Sequence, residues 1–131
     1  MARTLGVAEL HKAGKIIFKE GTFGDGTYVI IEGQVEISKI IHGNKINIAT
    51  LKKGDVFGEM AYLDMSPRSA SAIAVTDVKI ALMDREFLDE EINKTAENFR
   101  VIIKALVERL RTTTLELVSL KEQCAKHNTK P

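Results

Sequence analysis

The chain of 131 residues holds one cysteine, Cys124. No disulfide can form within it, which fits a reducing compartment, so the cytoplasm is the expected location. No apolar run reaches membrane-spanning length, and Met1 to Leu10 lacks the long apolar core of a secretory signal. Neither a membrane span nor a leader is expected. A charge of one sign is also missing. Lys and Arg number 19 against 18 Asp and Glu, a net charge of +1, too little to draw the protein to nucleic acid or to a membrane surface. The three histidines, His11, His42 and His127, are scattered. Without an H-x-H or H-x-x-x-H pair, no metal site is expected. No Ser or Cys stands in a nucleophile motif such as G-x-S-x-G, so neither an enzyme nor a cofactor is expected.

The composition, 44% hydrophobic and 28% charged, is that of an ordinary globular protein, and the length suits a single domain, 1–131, with a real core. Residues 1–14 carry Val7, Leu10 and Ala13 at helical spacing, which predicts a short N-terminal helix or an irregular cap. From Lys15 the texture becomes that of short strands. Ile16 to Phe18 is closed by Glu20-Gly21, and Tyr28 to Ile31 by Glu32-Gly33, with Gly24-Asp25-Gly26 a turn between them. Gln34 to Ile41 and Lys45 to Leu51 flank the hairpin signal His42-Gly43-Asn44. Ser69 to Val75 and Val78 to Met83 complete the set. Short strands with turns every eight to twelve residues predict an antiparallel barrel or jelly roll over about 15–83.

From Asp84 the period changes. Asp84 is a candidate cap for a helix to about Ile92, and Asn93 or Thr95 for a long helix to about Cys124. The C-terminal helices thus cover about 85–124. Phe99, Ile103, Leu106, Leu110, Thr113, Leu117, Leu120 and Cys124 recur at alternating intervals of four and three, a heptad seam. Ile102 and Val107 widen the apolar face in the first half only. The expectation is that the first half packs on the barrel while the seam, Phe99 to Leu120, meets a second copy as a parallel homodimer. Glu116 and Lys121 are placed to pair across it. Arg100, Lys104, Arg109 and Arg111 are interleaved with Glu97 and Glu108 and read as a solvated face.

The densest chemistry lies in Phe57-Gly58-Glu59-Met60-Ala61 and Pro67-Arg68-Ser69-Ala70. Gly58 and Ala61 let a backbone approach a ligand closely. Glu59 to Ala61 is placed to open a helical turn, whose first N–H groups suit an anion. Arg68 can grip the same anion with parallel N–H bonds. Ser69 adds a hydroxyl and Ala70 a close-approaching backbone. Glu59 only accepts, so it calls for hydroxyl donors. The implied ligand carries a phosphate beside a sugar hydroxyl.

This segment resembles the phosphate-binding cassette of the cyclic nucleotide-binding domain family, found in catabolite activator proteins and in regulatory subunits of cyclic AMP-dependent kinase. The family pattern is roughly F-G-E-[LM]-A, a short loop, then P-R-[ASTR]-A, and Glu59 and Arg68 stand nine positions apart as in the kinase subunits. The resemblance covers about residues 12–115, and Gly21, Gly33, Gly54 and Gly58 look like the family's glycine framework. It implies an α+β, mainly β, fold: an antiparallel β-roll with a short N-terminal helix, a cassette helix and a long C-terminal helix. It implies Glu59 on the ribose 2′-hydroxyl and Arg68 on the cyclic phosphate. The ligand would be cyclic AMP, favoured, or cyclic GMP, because a hydroxyl residue after the cassette Arg favours guanine in some members. In the catabolite-activator branch the matching long helix carries hydroxyls that contact adenine. Counted from Arg68, those positions are Thr113 and Thr114, one serving its own subunit and one the partner. That branch continues into a helix-turn-helix; here Pro131 follows a few residues after the helix, so no DNA binding by this chain alone is expected. The expected role is a sensor in signal transduction that couples ligand to helix position, with an unknown downstream protein; the alternatives are a dimerising interaction module with a disused pocket and the sensor fragment of a larger transcription regulator.

Overall fold

The computed structural model describes residues 5–24 and 26–128, with the side chains of residues 5, 6, 60, 64 and 125–128 outside the description. Among the described residues, eight strands come in order as β1 (Leu5–His11), β2 (Ile16–Phe18), β3 (Tyr28–Glu32), β4 (Val35–Ile41), β5 (Asn44–Leu51), β6 (Val56–Phe57), β7 (Ser71–Ala74) and β8 (Val78–Met83). The helices among the described residues are α1 (Glu59–Asp64), α2 (Arg85–Lys94) and α3 (Glu97–Asn128). The strands form two antiparallel sheets, in the orders β1-β8-β3-β6 and β2-β7-β4-β5. One core joins them: Ile30, Phe57, Val78 and Ile80 from the first, Val35, Ala72 and Ala74 from the second. Burying a side chain such as Ile30 or Ile80, both 1% exposed or less, contributes roughly 1.5–3 kcal/mol. The structure is the expected β-roll with C-terminal helices.

Turn chemistry sets the connections. Ile41 pairs with Asn44 across His42 and Gly43, whose φ values are 50° and 81°. Positive φ at both central residues matches the right-handed twist of the strands. The chain passes from one sheet to the other at Gly33, with φ +94°, where a Cβ would meet the Asp77 carbonyl at 2.5 Å. Asp25, in the middle of another expected turn, lies outside the described residues.

Residues 5–11 form no helix but strand β1, which pairs with β8 from Leu5↔Met83 to His11↔Val78. The helical spacing of Val7 and Leu10 is incidental, since both are largely exposed. The determining factor is β8, whose edge would otherwise stand unpaired. The roll therefore starts before Lys15.

Asp84 caps α2 as expected, its carboxylate accepting from the amides of Glu86 and Phe87. The cap of α3 differs. Asn93 lies inside α2, and Thr95 ends it, donating its hydroxyl to the Glu91 carbonyl. In the first turn of α3 the amides of Phe99 and Arg100 donate to the Ala96 carbonyl. The helix also runs past Cys124 to Asn128.

Docking extends along α3 rather than stopping after its first half. Its inward face is Ile103, Val107, Arg111, Thr114, Val118 and Glu122, against α1, β4 and β5. Val118 is fully buried, and Glu122 accepts from His42 Nδ1 at 2.9 Å. Lys121 Nζ donates to the Asn47 carbonyl at 3.2 Å. Of the seam, Phe99, Leu106, Leu110, Leu117 and Leu120 are exposed in the single chain, while Ile103 turns inward and is half-buried.

Candidate functional site

Arg68 is the centre of the site. Arginine is rarely buried without partners, yet Arg68 is 5% exposed. Its Nη1 donates to the Gly58 carbonyl at 3.0 Å and its Nη2 to the Gly26 carbonyl at 2.9 Å. The guanidinium lies over the Phe18 ring, 4.0 Å from its centroid, a cation–π arrangement. Its Nε is buried and makes no hydrogen bond. The backbone is clamped as well, with the Arg68 amide on the Thr22 carbonyl and its carbonyl on the Gly21 amide. Burial lowers the Arg68 pKa from its ordinary value, with Tyr28 and Glu59 acting in the opposite sense. Burial likewise raises the Tyr28 pKa, helped by Glu9. Phe18, Tyr28 and Phe57 pack as an aromatic trio with ring centroids 5.4–6.4 Å apart. The cation is thus held by two carbonyls and one ring, with donors to spare among its five N–H groups.

Gly58 makes this approach possible. It ends β6 and caps α1 at φ 85°, and a Cβ there would meet the Gly26 carbonyl at 2.6 Å and Arg68 Nη1 at 2.9 Å. Only glycine takes this conformation and this proximity readily. No side-chain bond caps α1.

A cavity of about 210 Å³ opens over these groups, its lining including Phe18, Phe57, Gly58, Glu59, Ala61 and Arg68. Ser69 and Ala70 complete the wall. The structure therefore gathers Phe57, Gly58, Glu59, Ala61, Arg68, Ser69 and Ala70 around one space; Met60 lies in α1 with its side chain outside the description. A second cavity of about 370 Å³ lies between β4, β5 and α3. It shares Ile37, Ser69 and Ala70 with the first, so the two adjoin. Thr114 lines it, half-buried, while Thr113 is exposed and does not. Sequence reasoning missed Phe18, Gly26 and Lys39, because each reaches the site through a contact distant in sequence. Among the described residues, no group of three or more His, Cys, Asp or Glu could hold a metal ion.

A β-roll whose floor is a buried arginine, with a carboxylate and a glycine-capped helical turn beside it, defines a protein that takes a small anionic ligand bearing hydroxyls. The family model described as the cyclic nucleotide-binding domain matches residues 9–95, and the chain belongs to that family. It is 35% identical over 108 residues to the CRP-like cAMP-activated global transcriptional regulator of Mycobacterium tuberculosis, an alignment covering 82% of this chain and 48% of that protein. The chain thus spans about half the length of that relative. Among solved structures, it resembles the EAL enzyme Bd1971 in its cAMP-bound form, with TM-score 0.77 and 30% identity over 92% of this chain and 33% of that one. The cGMP-bound form of the same enzyme gives TM-score 0.74 at 30% identity over the same shares. The chain is a cyclic nucleotide-binding domain of the kind found in regulatory proteins. Among the described residues, no helix is long and apolar enough to cross a membrane.

Proposed function

We propose that this domain is a cytoplasmic sensor with no catalysis of its own, which binds cyclic AMP by preference and also accepts cyclic GMP. The observation that carries the reading is Arg68, a cation buried at the wall of a cavity large enough to receive a phosphate. The cyclic phosphate would sit on Arg68 and the amides of Gly58 to Ala61, and the ribose hydroxyl on Glu59. The base would extend into the second cavity, under α3 and beside Thr114. The favoured nucleotide follows the name of the mycobacterial relative, and the second follows the two liganded forms of Bd1971.

The output would be the position of α3. That helix roofs the second cavity, so a ligand filling it favours one placement over another. A ligand shifts such an equilibrium only through differential affinity for the two placements. The exposed seam Phe99, Leu106, Leu110, Leu117 and Leu120 supports a parallel homodimer along α3, which would place Thr113 toward a second copy. DNA is not among the proposed partners, since a net charge of +1 gives no attracting field. The test is a calorimetric titration of the full chain with cyclic AMP and cyclic GMP. Saturable one-to-one binding supports the reading, and the absence of heat with either nucleotide up to millimolar concentration ends it.

A further inference from the structure

Strand β4 supplies one wall of the second cavity, through Ile37 and Lys39. Two residues apart on a strand, they share a face. Ile37 is what an apolar wall calls for. Lys39 is not, for it is a lysine only 8% exposed, and buried charges persist only when paired. Glu20 supplies the partner, with Oε2 3.0 Å from Nζ, and the Ser69 carbonyl accepts a second N–H. Glu20 is fixed in turn. Its Oε1 accepts from the Ile40 amide at 3.1 Å, and its own amide donates to Ser71 Oγ at 2.9 Å. The ammonium is therefore held at the cavity wall instead of swinging in solvent. An ammonium carries three N–H donors. Two have acceptors among the described residues, and since Lys39 lines the cavity the third can serve a ligand there.

We propose that Lys39 reads the base of the bound nucleotide and is the residue that admits guanine, an inference resting on the cyclic nucleotide reading above. Guanine presents two acceptors, O6 and N7, on the edge where adenine presents the N7 acceptor and an amino donor. A fixed ammonium can donate to either O6 or N7 of guanine but only to N7 of adenine, so its loss costs guanine more. Hydroxyls both donate and accept, so Ser69 and Thr114 serve either base. Arg111 also lines the cavity. Among the described residues, no carboxylate lines this cavity to favour an amino group.

The experiment titrates the full chain, Lys39→Met and the double variant Glu20→Gln/Lys39→Met with cyclic GMP and cyclic AMP, with circular dichroism to check the fold. The double variant is included because Lys39→Met alone strands a half-buried carboxylate at Glu20. Affinity for cyclic GMP is expected to fall about tenfold, the size of a lost charged hydrogen bond, with cyclic AMP changing far less. The ratio of the two affinities then moves toward adenine in both variants. Equal losses for both nucleotides would make Lys39 a mere support for Ser69 and overturn the proposal, as would an unmoved ratio. Wild-type protein that binds neither nucleotide would instead defeat the cyclic nucleotide reading itself.

Discussion

The hydroxyl of Tyr62 donates a 2.6 Å hydrogen bond to Asp89, tying helix α1, which carries Glu59, to helix α2. Burial and the bond to Asp89 push the Tyr62 pKa from 10.0 to about 12. A group whose pKa is raised on folding stabilises the fold fully below its unfolded value and loses that contribution as pH rises through the folded one. Tyr62→Phe should therefore cost about 1 kcal/mol at neutral pH. The gap from wild type should close between pH 10 and about 12. Denaturant midpoints of both proteins across that window check this. A gap that stays constant would mean the bond contributes nothing.

Removing the buried cation should matter more than removing the carboxylate beside it. Arg68→Ala deletes a desolvated charge partner for the phosphate, a loss of roughly 2–5 kcal/mol in nucleotide affinity. Arg68→Lys should recover little, because an ammonium reproduces neither the two carbonyl bonds nor the stacking on Phe18. Glu59→Ala should cost roughly 1.5–3 kcal/mol, the scale of one charged hydrogen bond. Near wild-type affinity in either alanine variant would remove that residue from the site.

Gly58→Ala tests the backbone geometry directly. At φ 85° the added methyl is strained, and it would press on the Gly26 carbonyl and on Arg68 Nη1. A cost of roughly 1–3 kcal/mol in stability is expected. Nucleotide affinity should fall with it, because the same methyl displaces the guanidinium. Thermal melts and titrations on one sample read both effects. A variant as stable as wild type would show that the turn can relax.

The cassette was legible in the sequence because its chemistry is local: glycine, carboxylate, small residues and arginine fall within a short stretch. The Asp84 cap and the hairpin at His42-Gly43 were legible for the same reason. Strand β1 was not, because its partner β8 lies at the other end of the roll in sequence and the short apolar spacing of Val7 and Leu10 mimics a helix. The docking of α3 was half legible. Its exposed seam is the stronger apolar signal, while the face that packs is interrupted by Arg111, Thr114 and Glu122. The anchors of Arg68 were hidden too, since Gly26 is 42 positions from it and contributes only a carbonyl, which any residue has.

Thr113 and Thr114 are neighbours on α3, yet only Thr114 lines the cavity; Thr113 is exposed beside the seam. Their effects on binding should therefore separate. Thr114→Ala should weaken nucleotide binding by roughly 0.5–1.5 kcal/mol in any oligomeric state, since its hydroxyl serves the cavity of its own chain. Thr113→Val should weaken binding only where a second copy lies along the seam and receives that hydroxyl. Lysines at Leu106 and Leu117 would place like charges in the seam, and these positions spare Leu110, which also lines the cavity. Sedimentation should show a wild-type dimer at micromolar concentration and a monomer for Leu106→Lys/Leu117→Lys, because assembly follows mass action. In that monomer Thr113→Val should have no further effect, while Thr114→Ala keeps its own. A wild-type protein that sediments as a monomer would remove the partner from the site, and Thr113 would then have no part in binding. An effect of Thr113→Val that persists in the monomer would instead place its hydroxyl in its own chain's cavity, after a rotation of α3 on ligand binding.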